Sequence, residues 1–104
     1  MKQLTILVKP FRAEAVLRLL AELGLSACVV REAKGYSRQK GYLDRYAGSE
    51  YSLAFLPKVE ITAWVPAKRV AEVTDRVTRT ARTGRMGDGK IFVLDTILQD
   101  PLEF

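Results

Sequence analysis

The chain has 104 residues, of which 48% are hydrophobic, and its 17 Lys and Arg against 12 Asp and Glu give a formal net charge of +5. This length is that of a single domain, residues 1–104, and the positive charge favours anionic partners such as phosphates, nucleic acid or an acidic protein surface. The composition of one cysteine and no histidine excludes an intrachain disulfide, a Cys/His zinc site and a nucleophile–histidine pair.

The first half of the chain predicts a strand, a helix and a second strand. Residues 2–9 alternate between apolar and polar side chains, as a strand does. Residues 11–23 have helical spacing, with Pro10 suited to the first turn and Gly24 to the position after the last turn. A second strand is predicted over residues 26–34. The apolar positions expected to face the core are Leu4, Ile6, Val8, Val16, Leu19, Leu20 and Leu23.

The second half predicts a long loop, a strand, a helix and a last strand. No sustained period covers residues 35–56, and loops of that length in compact domains are usually functional or disordered. Residues 58–65 alternate again, residues 70–81 have helical spacing, and residues 91–94 predict a short, buried strand. The order βαββαβ is that of an α+β, ferredoxin-like domain, in which two helices cover one face of an antiparallel sheet.

The face of this sheet that the helices leave open is predicted to be apolar. It should carry Leu7, Val29 and Trp64 together with part of the last strand. That is more apolar surface than a monomer usually exposes to water. Self-association of the chain is therefore expected.

Residues 83–90, Thr-Gly-Arg-Met-Gly-Asp-Gly-Lys, have the composition of a phosphate-binding loop. Glycine lets backbone N–H groups approach an anion, and Arg85 and Lys90 add positive charge. The loop is not a Walker loop, because Ile91 follows the lysine in place of Ser or Thr. From this stretch alone, a basic turn between a helix and a strand is an equal alternative.

At this point the chain resembles the PII signal-transduction family, from residue 1 to about residue 97, through five motifs in order. These motifs are Lys9-Pro10-Phe11, Gly35-Tyr36-Ser37-Arg38-Gln39-Lys40-Gly41, Tyr46-Ala47-Gly48-Ser49-Glu50-Tyr51, Phe55-Leu56-Pro57-Lys58 and Ala81-Arg82-Thr83-Gly84-Arg85-Met86-Gly87-Asp88-Gly89-Lys90. The resemblance implies a cytoplasmic homotrimer that does not span a membrane and binds ATP or ADP in clefts between subunits. It also implies a T-loop at residues 36–55, which docks on a membrane transporter, an enzyme or a regulator, and a phosphate-holding B-loop at residues 82–90.

Site residues follow from the same resemblance. The positions that match the family's nucleotide site, from the B-loop, the base of the T-loop and the adenine pocket, are Gly87, Asp88, Gly89, Lys90, Gly35, Ser37, Arg38, Val29 and Trp64. Gln39 matches the residue that touches Mg²⁺ or 2-oxoglutarate, and Lys58 the residue that pairs with a carboxylate of that acid. Without the resemblance, both would be assigned to solvated surface. The resemblance names no catalytic residue and no certain direct metal ligand.

Two further positions match residues that some family members have modified. Tyr51 corresponds to a tyrosine that is uridylylated or adenylylated, and Ser49 to a serine that is phosphorylated. An exposed tyrosine in a loop is also ordinary, so an unmodified Tyr51 stays open as the alternative.

Five departures from the family pattern bear on the ligand. Ser37 replaces a glycine, Ala47 a basic residue, Val29 a threonine, and Trp64 a smaller side chain near the adenine. Residues 95–104 lack the arginines that add phosphate contacts in typical members. The preference among ATP, ADP and AMP therefore stays open, and bicarbonate is an alternative to 2-oxoglutarate as the second effector.

Two other classes of protein share this pattern of strands and helices. An RNA-recognition domain needs several aromatic rings on its central strands, whereas residues 91–94, Ile-Phe-Val-Leu, offer one. A small phosphate-ester hydrolase needs general acid–base groups, and Asp88 is the only carboxylate in the glycine-rich loop. A non-catalytic nucleotide sensor that binds no nucleic acid is therefore the leading hypothesis.

Overall fold

The computed structural model describes residues 1–25, 27–36, 55–85 and 88–96, which form four strands and two longer helices. In chain order the elements are β1 (Lys2–Val8), α1 (Pro10–Glu22), β2 (Val29–Tyr36), β3 (Phe55–Val65), a 3₁₀ turn (Ala67–Arg69), α2 (Val70–Ala81) and β4 (Gly89–Asp95). The predicted βαββαβ order and the α+β, ferredoxin-like class are confirmed.

The sheet is antiparallel throughout, with the strand order β2-β3-β1-β4. Strand β1 therefore has a neighbour on each side, and its residue Val8 lies opposite both Val59 of β3 and Gly89 of β4. Alternate residues of β1 and β3 point toward α1 and α2 and form one core with them. The buried core residues are Leu4, Ile6, Val8, Ala13, Val16, Leu19, Leu20, Ile61, Ala63, Val65, Val73, Val77 and Ala81.

The two ends of α1 lie where Pro10 and Gly24 predict them. Pro10 occupies the first turn, where its missing N–H breaks no helical hydrogen bond. After the last turn, Gly24 has φ 81° and its N–H donates to the carbonyl of Ala21 at 3.0 Å, while the N–H of Leu25 donates to the carbonyl of Leu20 at 2.7 Å. These two bonds form a Schellman motif, which requires a left-handed residue that glycine adopts without strain.

The strands on either side of the predicted T-loop extend further toward it than the sequence predicted. Strand β2 begins at Val29 and continues to Tyr36, and β3 begins at Phe55, because the two strands keep pairing through Gly35 opposite Leu56. The glycine reads as a strand terminator in the sequence, but a partner strand overrides that preference. Pro57 lies beyond the end of β1, where β3 has only β2 beside it, as a proline within a strand requires.

Strand β4 corrects the prediction of a short, buried last strand. It runs from Gly89 to Asp95 at an edge of the sheet, and Phe92, Val93 and Leu94 are each 47% exposed in the single chain. Its apolar residues resemble those of a buried strand, but Phe92 and Leu94 lie on the face away from α1 and α2, and β4 has a neighbour on one side only. An apolar edge strand of this kind is a surface for association.

The helix-free face carries the residues that the sequence placed there. The register puts Val29 opposite Thr62, Trp64 opposite Gln3, and Phe92 opposite Thr5, all on the face away from α1 and α2. Leu7 and Leu94 share this face, and none of the five apolar side chains is fully buried. We use the name helix-free face for this surface of Leu7, Val29, Trp64, Phe92 and Leu94.

Candidate functional site

In the described part of the predicted B-loop, the side chain of Asp88 links the end of the loop to its start. Its Oδ2 atom accepts hydrogen bonds from the backbone N–H of Thr83 at 2.9 Å and of Gly84 at 3.0 Å. Its Oδ1 atom accepts a hydrogen bond from the Thr83 hydroxyl and lies 3.3 Å from the ammonium of Lys9, at the junction of β1 and α1. A carboxylate has about four lone-pair sites, so these four donors fill its accepting capacity.

The hydroxyl of Thr83 extends the same network. It accepts hydrogen bonds from the backbone N–H of Arg85 at 3.2 Å and from the ammonium of Lys9 at 3.4 Å, while donating to Asp88. Three consecutive N–H groups, at residues 83, 84 and 85, are thus bonded to side chains of the protein. A phosphate at this loop must find other donors as long as the network is intact.

The hydrogen-bond donors around Asp88 hold it in the ionised form. The hydrogen bond from the Thr83 hydroxyl, followed by those from backbone N–H groups and Lys9, holds the pKa of this carboxyl well below its ordinary value. The pKa of Lys58 is lowered by burial and then by repulsion from Lys9, and Asp88 opposes that shift. Lys9, Lys58 and Asp88 therefore act on one another as an electrostatic cluster at this end of the sheet.

Gly89 joins the loop to β4 at a place where only glycine fits. Its φ is 133°, and a Cβ atom there would lie 1.8 Å from the carbonyl oxygen of Leu7 in β1. Backbone cannot give way as the end of a flexible side chain can, so a larger residue would force β4 away from β1. The glycine predicted for phosphate contact thus has a structural requirement of its own.

Lys90 follows directly and points to the other side of the sheet from the core. It lies opposite Leu7 on the helix-free side and is exposed. Trp64 lies on the same side, opposite Gln3 of β1. Gln3 and Leu7 are four positions apart, so Trp64 and Lys90 are separated by roughly 13 Å along β1 at the usual strand rise. The structure therefore brings the predicted phosphate cation and the predicted adenine residues Trp64 and Val29 onto one face.

Some of the other predicted site residues lie in the described part of the chain, and others lie outside it. Lys58 lies opposite Ala33, just past the end of β1 and within the electrostatic cluster of Lys9 and Asp88. Gly35 lies in the paired end of β2. Those that lie outside the described residues are Ser37, Arg38, Gln39, Ser49, Tyr51 and Gly87.

On the helical side of the sheet, a groove of about 560 Å³ lies between α2 and β4. Val77 and Ala81 of α2 and Ile91 and Val93 of β4 line its length, and Asp88 lies in its lining beside the loop. The groove is mainly apolar along α2 and β4, and at the loop end its lining includes Asp88, Gly89 and Lys90. It therefore reaches the predicted phosphate-binding residues of the B-loop, whereas Trp64 and Val29 lie on the other side of the sheet.

Sequence reasoning gave no role in the site to Lys9 or Thr83. Both lie in motifs of the family resemblance, but nothing local in either motif shows that Lys9 reaches Thr83 across 74 positions of sequence. A threonine and an aspartate flanking a glycine-rich turn would have been the available signal, because such side chains often bond the backbone of their own loop.

Comparison with known proteins shows to which family the chain belongs. The family model described as Nitrogen regulatory protein P-II matches residues 1–97. The chain belongs to the PII family. Nitrogen regulatory protein P-II 1 of Escherichia coli K12 is 47% identical over 95 residues, which cover 91% of this chain and 85% of that protein. The protein of the same name from Salmonella typhimurium LT2 matches to the same extent. Nitrogen regulatory protein GlnK of E. coli K12 is 45% identical over 95 residues, with the same coverage.

Family membership settles the broad function. PII proteins are signalling regulators, so this chain is a nitrogen-regulatory signalling protein and not an enzyme. This confirms the non-catalytic hypothesis over the hydrolase. Among the described residues, neither helix has the length and apolar character needed to cross a membrane.

The tight packing at Gly89 predicts unequal effects for two glycine substitutions. Gly89→Ala should lower the free energy of unfolding by about 3 kcal/mol or more, because it combines backbone strain with a clash against β1. Gly84→Ala is the matched control, since Gly84 has φ 81° with open space around its Cα and should lose only about 1–2 kcal/mol. Urea unfolding of the two variants measures the difference. Equal losses would show that β4 can move away from Leu7 at little cost.

The ionised state of Asp88 predicts a pH-dependent stability. Because its pKa is lower in the folded chain than in the unfolded one, its contribution is present above about pH 4 and is lost as pH falls further. The difference in unfolding free energy between the wild type and Asp88→Asn should therefore be constant from pH 8 to about 5 and shrink below about pH 4. Asp75→Asn, an exposed carboxylate of α2, is the control. A pH-independent difference would contradict the role of the charge.

Proposed function

We propose that this PII protein senses adenine nucleotides: ATP or ADP binds in clefts between the subunits of a homotrimer and changes the state of the T-loop, residues 36–55. The T-loop in turn controls a target protein. The observation that carries this proposal is the position of Lys90. It is an exposed cation at the exit of a closed glycine-rich loop, on the same side of the sheet as Leu7, Val29 and Trp64.

The homotrimer is supported by the apolar character of the helix-free face. Phe92 and Leu94 are each 47% exposed in the single chain, and they line the same face as the partly buried Trp64. Covering such a face removes apolar area from water, which is the main favourable contribution to association. Subunits that meet along this face would enclose Lys90 near their boundary, which is where the proposed clefts lie.

Phosphate binding is supported by the charge that remains once Asp88 is paired. Lys9 neutralises Asp88, while Lys90 and Arg85 are exposed and form no ion pair with a carboxylate in the described part of the chain. The described ranges contain no group of three His, Cys, Asp or Glu side chains that could hold a metal. We therefore expect Mg²⁺ to enter with the nucleotide and to be held largely by phosphate oxygens, as is usual for this ion.

A second effector of small, anionic type is supported by the surroundings of Lys58. Its ammonium is partly buried and is repelled by Lys9, which Asp88 opposes, and a carboxylate placed beside it would add to that opposing attraction. Either 2-oxoglutarate or bicarbonate has the required charge. With Gln39 as its partner at the base of the T-loop, Lys58 would report effector binding to the same segment that contacts the target.

The target is a membrane transporter, an enzyme or a regulator that is engaged by residues 36–55 in the cytoplasm. An effector shifts such an equilibrium only if it binds the two states of the loop unequally. Arg38 and Gln39 at the base of the loop would supply that difference by contacting the nucleotide or its Mg²⁺ in one state. Modification of Tyr51 or Ser49 would act on the same segment by adding negative charge.

Nucleotide binding is tested by removing the cation. Lys90→Ala should weaken ATP binding by about 1.5–3 kcal/mol, the usual contribution of a charge-assisted hydrogen bond, or roughly ten- to a hundredfold in Kd. Lys68→Ala is the matched control, because this exposed lysine of the 3₁₀ turn carries the same charge and lies beyond the opposite end of β3. Calorimetry gives the Kd values, and light scattering should return a trimer mass for all three proteins. Equal ATP affinity in the two variants would remove the nucleotide assignment.

The switch is tested by limited digestion with trypsin. Residues 36–55 contain Arg38, Lys40 and Arg45, so mass spectrometry can follow cleavage at each position separately. We expect different cleavage rates with no ligand, with ATP and with ADP, each nucleotide at saturation. Cleavage after Arg18 in the middle of α1 should stay slow in every sample. Equal rates at Arg38, Lys40 and Arg45 in all three samples would leave a nucleotide-binding protein without a switch.

A further inference from the structure

We infer that the side chain of Asp88 positions the B-loop: the carboxylate fixes the shape of the loop before any ligand arrives and does not itself contact phosphate or metal. With Thr83 and Lys9 it forms a lock, by which we mean the hydrogen bonds and ion pair among these three side chains and the backbone N–H groups of residues 83–85. The inference about nucleotide affinity rests on the proposed function, whereas the inference about loop shape does not.

The first argument is the saturation of the carboxylate. The N–H groups of Thr83 and Gly84 approach Oδ2 at 2.9 and 3.0 Å, and the Thr83 hydroxyl and the Lys9 ammonium approach Oδ1. A metal ion or a donor from a nucleotide would have to displace one of these partners. A free carboxylate would also repel phosphate, and pairing with Lys9 cancels that repulsion.

The second argument is the origin of the partners. Thr83 and Gly84 belong to the start of the loop, Asp88 to its end, and Lys9 to the end of the central strand β1. The lock therefore joins both ends of the loop to each other and to the sheet. Lys90 lies two residues after Asp88, so its direction depends on the path of the chain that the lock fixes.

The third argument is the use of the backbone. The N–H groups of residues 83, 84 and 85 all donate to side chains of the lock. They are consequently not the donors that receive a phosphate. The lock orders the loop with its own side chains, so less conformational entropy remains to be lost when a ligand binds.

The shape of the loop can be tested without any nucleotide, because Arg82 and Arg85 lie in its first half and are exposed. Asp88→Asn removes the charge and one accepting oxygen, and should raise the rate of tryptic cleavage after Arg85 by about tenfold, the effect of losing one charge-assisted hydrogen bond. Cleavage after Arg76 in α2 should not change, which shows that the variant is folded. Asp75→Asn, the exposed carboxylate of the same charge, should leave both rates at the wild-type value.

Two variants of Thr83 keep the inference testable if Asp88→Asn does not fold. Thr83→Val removes the hydroxyl and should open the loop as Asp88→Asn does, whereas Thr83→Ser keeps the hydroxyl and should behave as the wild type. The double variant Asp88→Asn with Thr83→Val should be cleaved no faster than about twice the faster single variant, because residues of one network do not act additively. Wild-type cleavage rates in both Asp88→Asn and Thr83→Val would overturn the inference.

Calorimetry with ATP, with and without Mg²⁺, then separates a positioning residue from a metal ligand. A positioning residue predicts that Asp88→Asn weakens ATP binding by the same factor in both conditions. A loss confined to the samples with Mg²⁺ would make Asp88 a metal ligand and overturn the inference. If wild-type protein binds no ATP at all, the proposed function fails, and the cleavage rates still decide whether the lock exists.

Discussion

The close approach of Gly89 to the carbonyl of Leu7 is the constraint on which the site depends. It brings β4 against the central strand, and it does so one residue before Lys90 and one residue after Asp88. The direction of the cation toward the helix-free side and the position of the carboxylate beside Lys9 both follow from this junction. If β4 lay further from β1, Lys90 would lose its direction and Asp88 would lose its position beside Lys9.

Lys9 gives this end of the sheet its electrostatic character. It contacts Asp88 and Thr83 in the B-loop and acts through space on Lys58, which lies just before the point where β3 begins to pair with β1. The Lys9 ammonium therefore lies near both the proposed phosphate site and the proposed anion site. A charge added at either site would change the electrostatic potential at the other, because partly buried charges are screened weakly by salt.

The sequence predicted the elements well where local chemistry decides them. Pro10 and Gly24 predicted both ends of α1, and alternation predicted which residues of β1 are buried. It failed where a partner strand decides, as in the extension of β2 through Gly35 and in the exposure of Phe92 at the sheet edge. Glycine composition drew attention to residues 83–90, but the contact of Lys9 with Thr83 depends on tertiary structure and has no local signal.

Pro10 affects the B-loop as well as the start of α1, because it restricts the backbone of Lys9. A residue that precedes proline is confined to extended backbone, and Lys9 has φ −63° and ψ 143°. The proline thereby restricts the directions in which the Lys9 ammonium can reach. Alanine at position 10 would be a good helix former, yet it would widen the rotational freedom of the backbone that supports the counterion of Asp88. Tolerance to substitution at this helix start is therefore narrower than helix propensity alone implies.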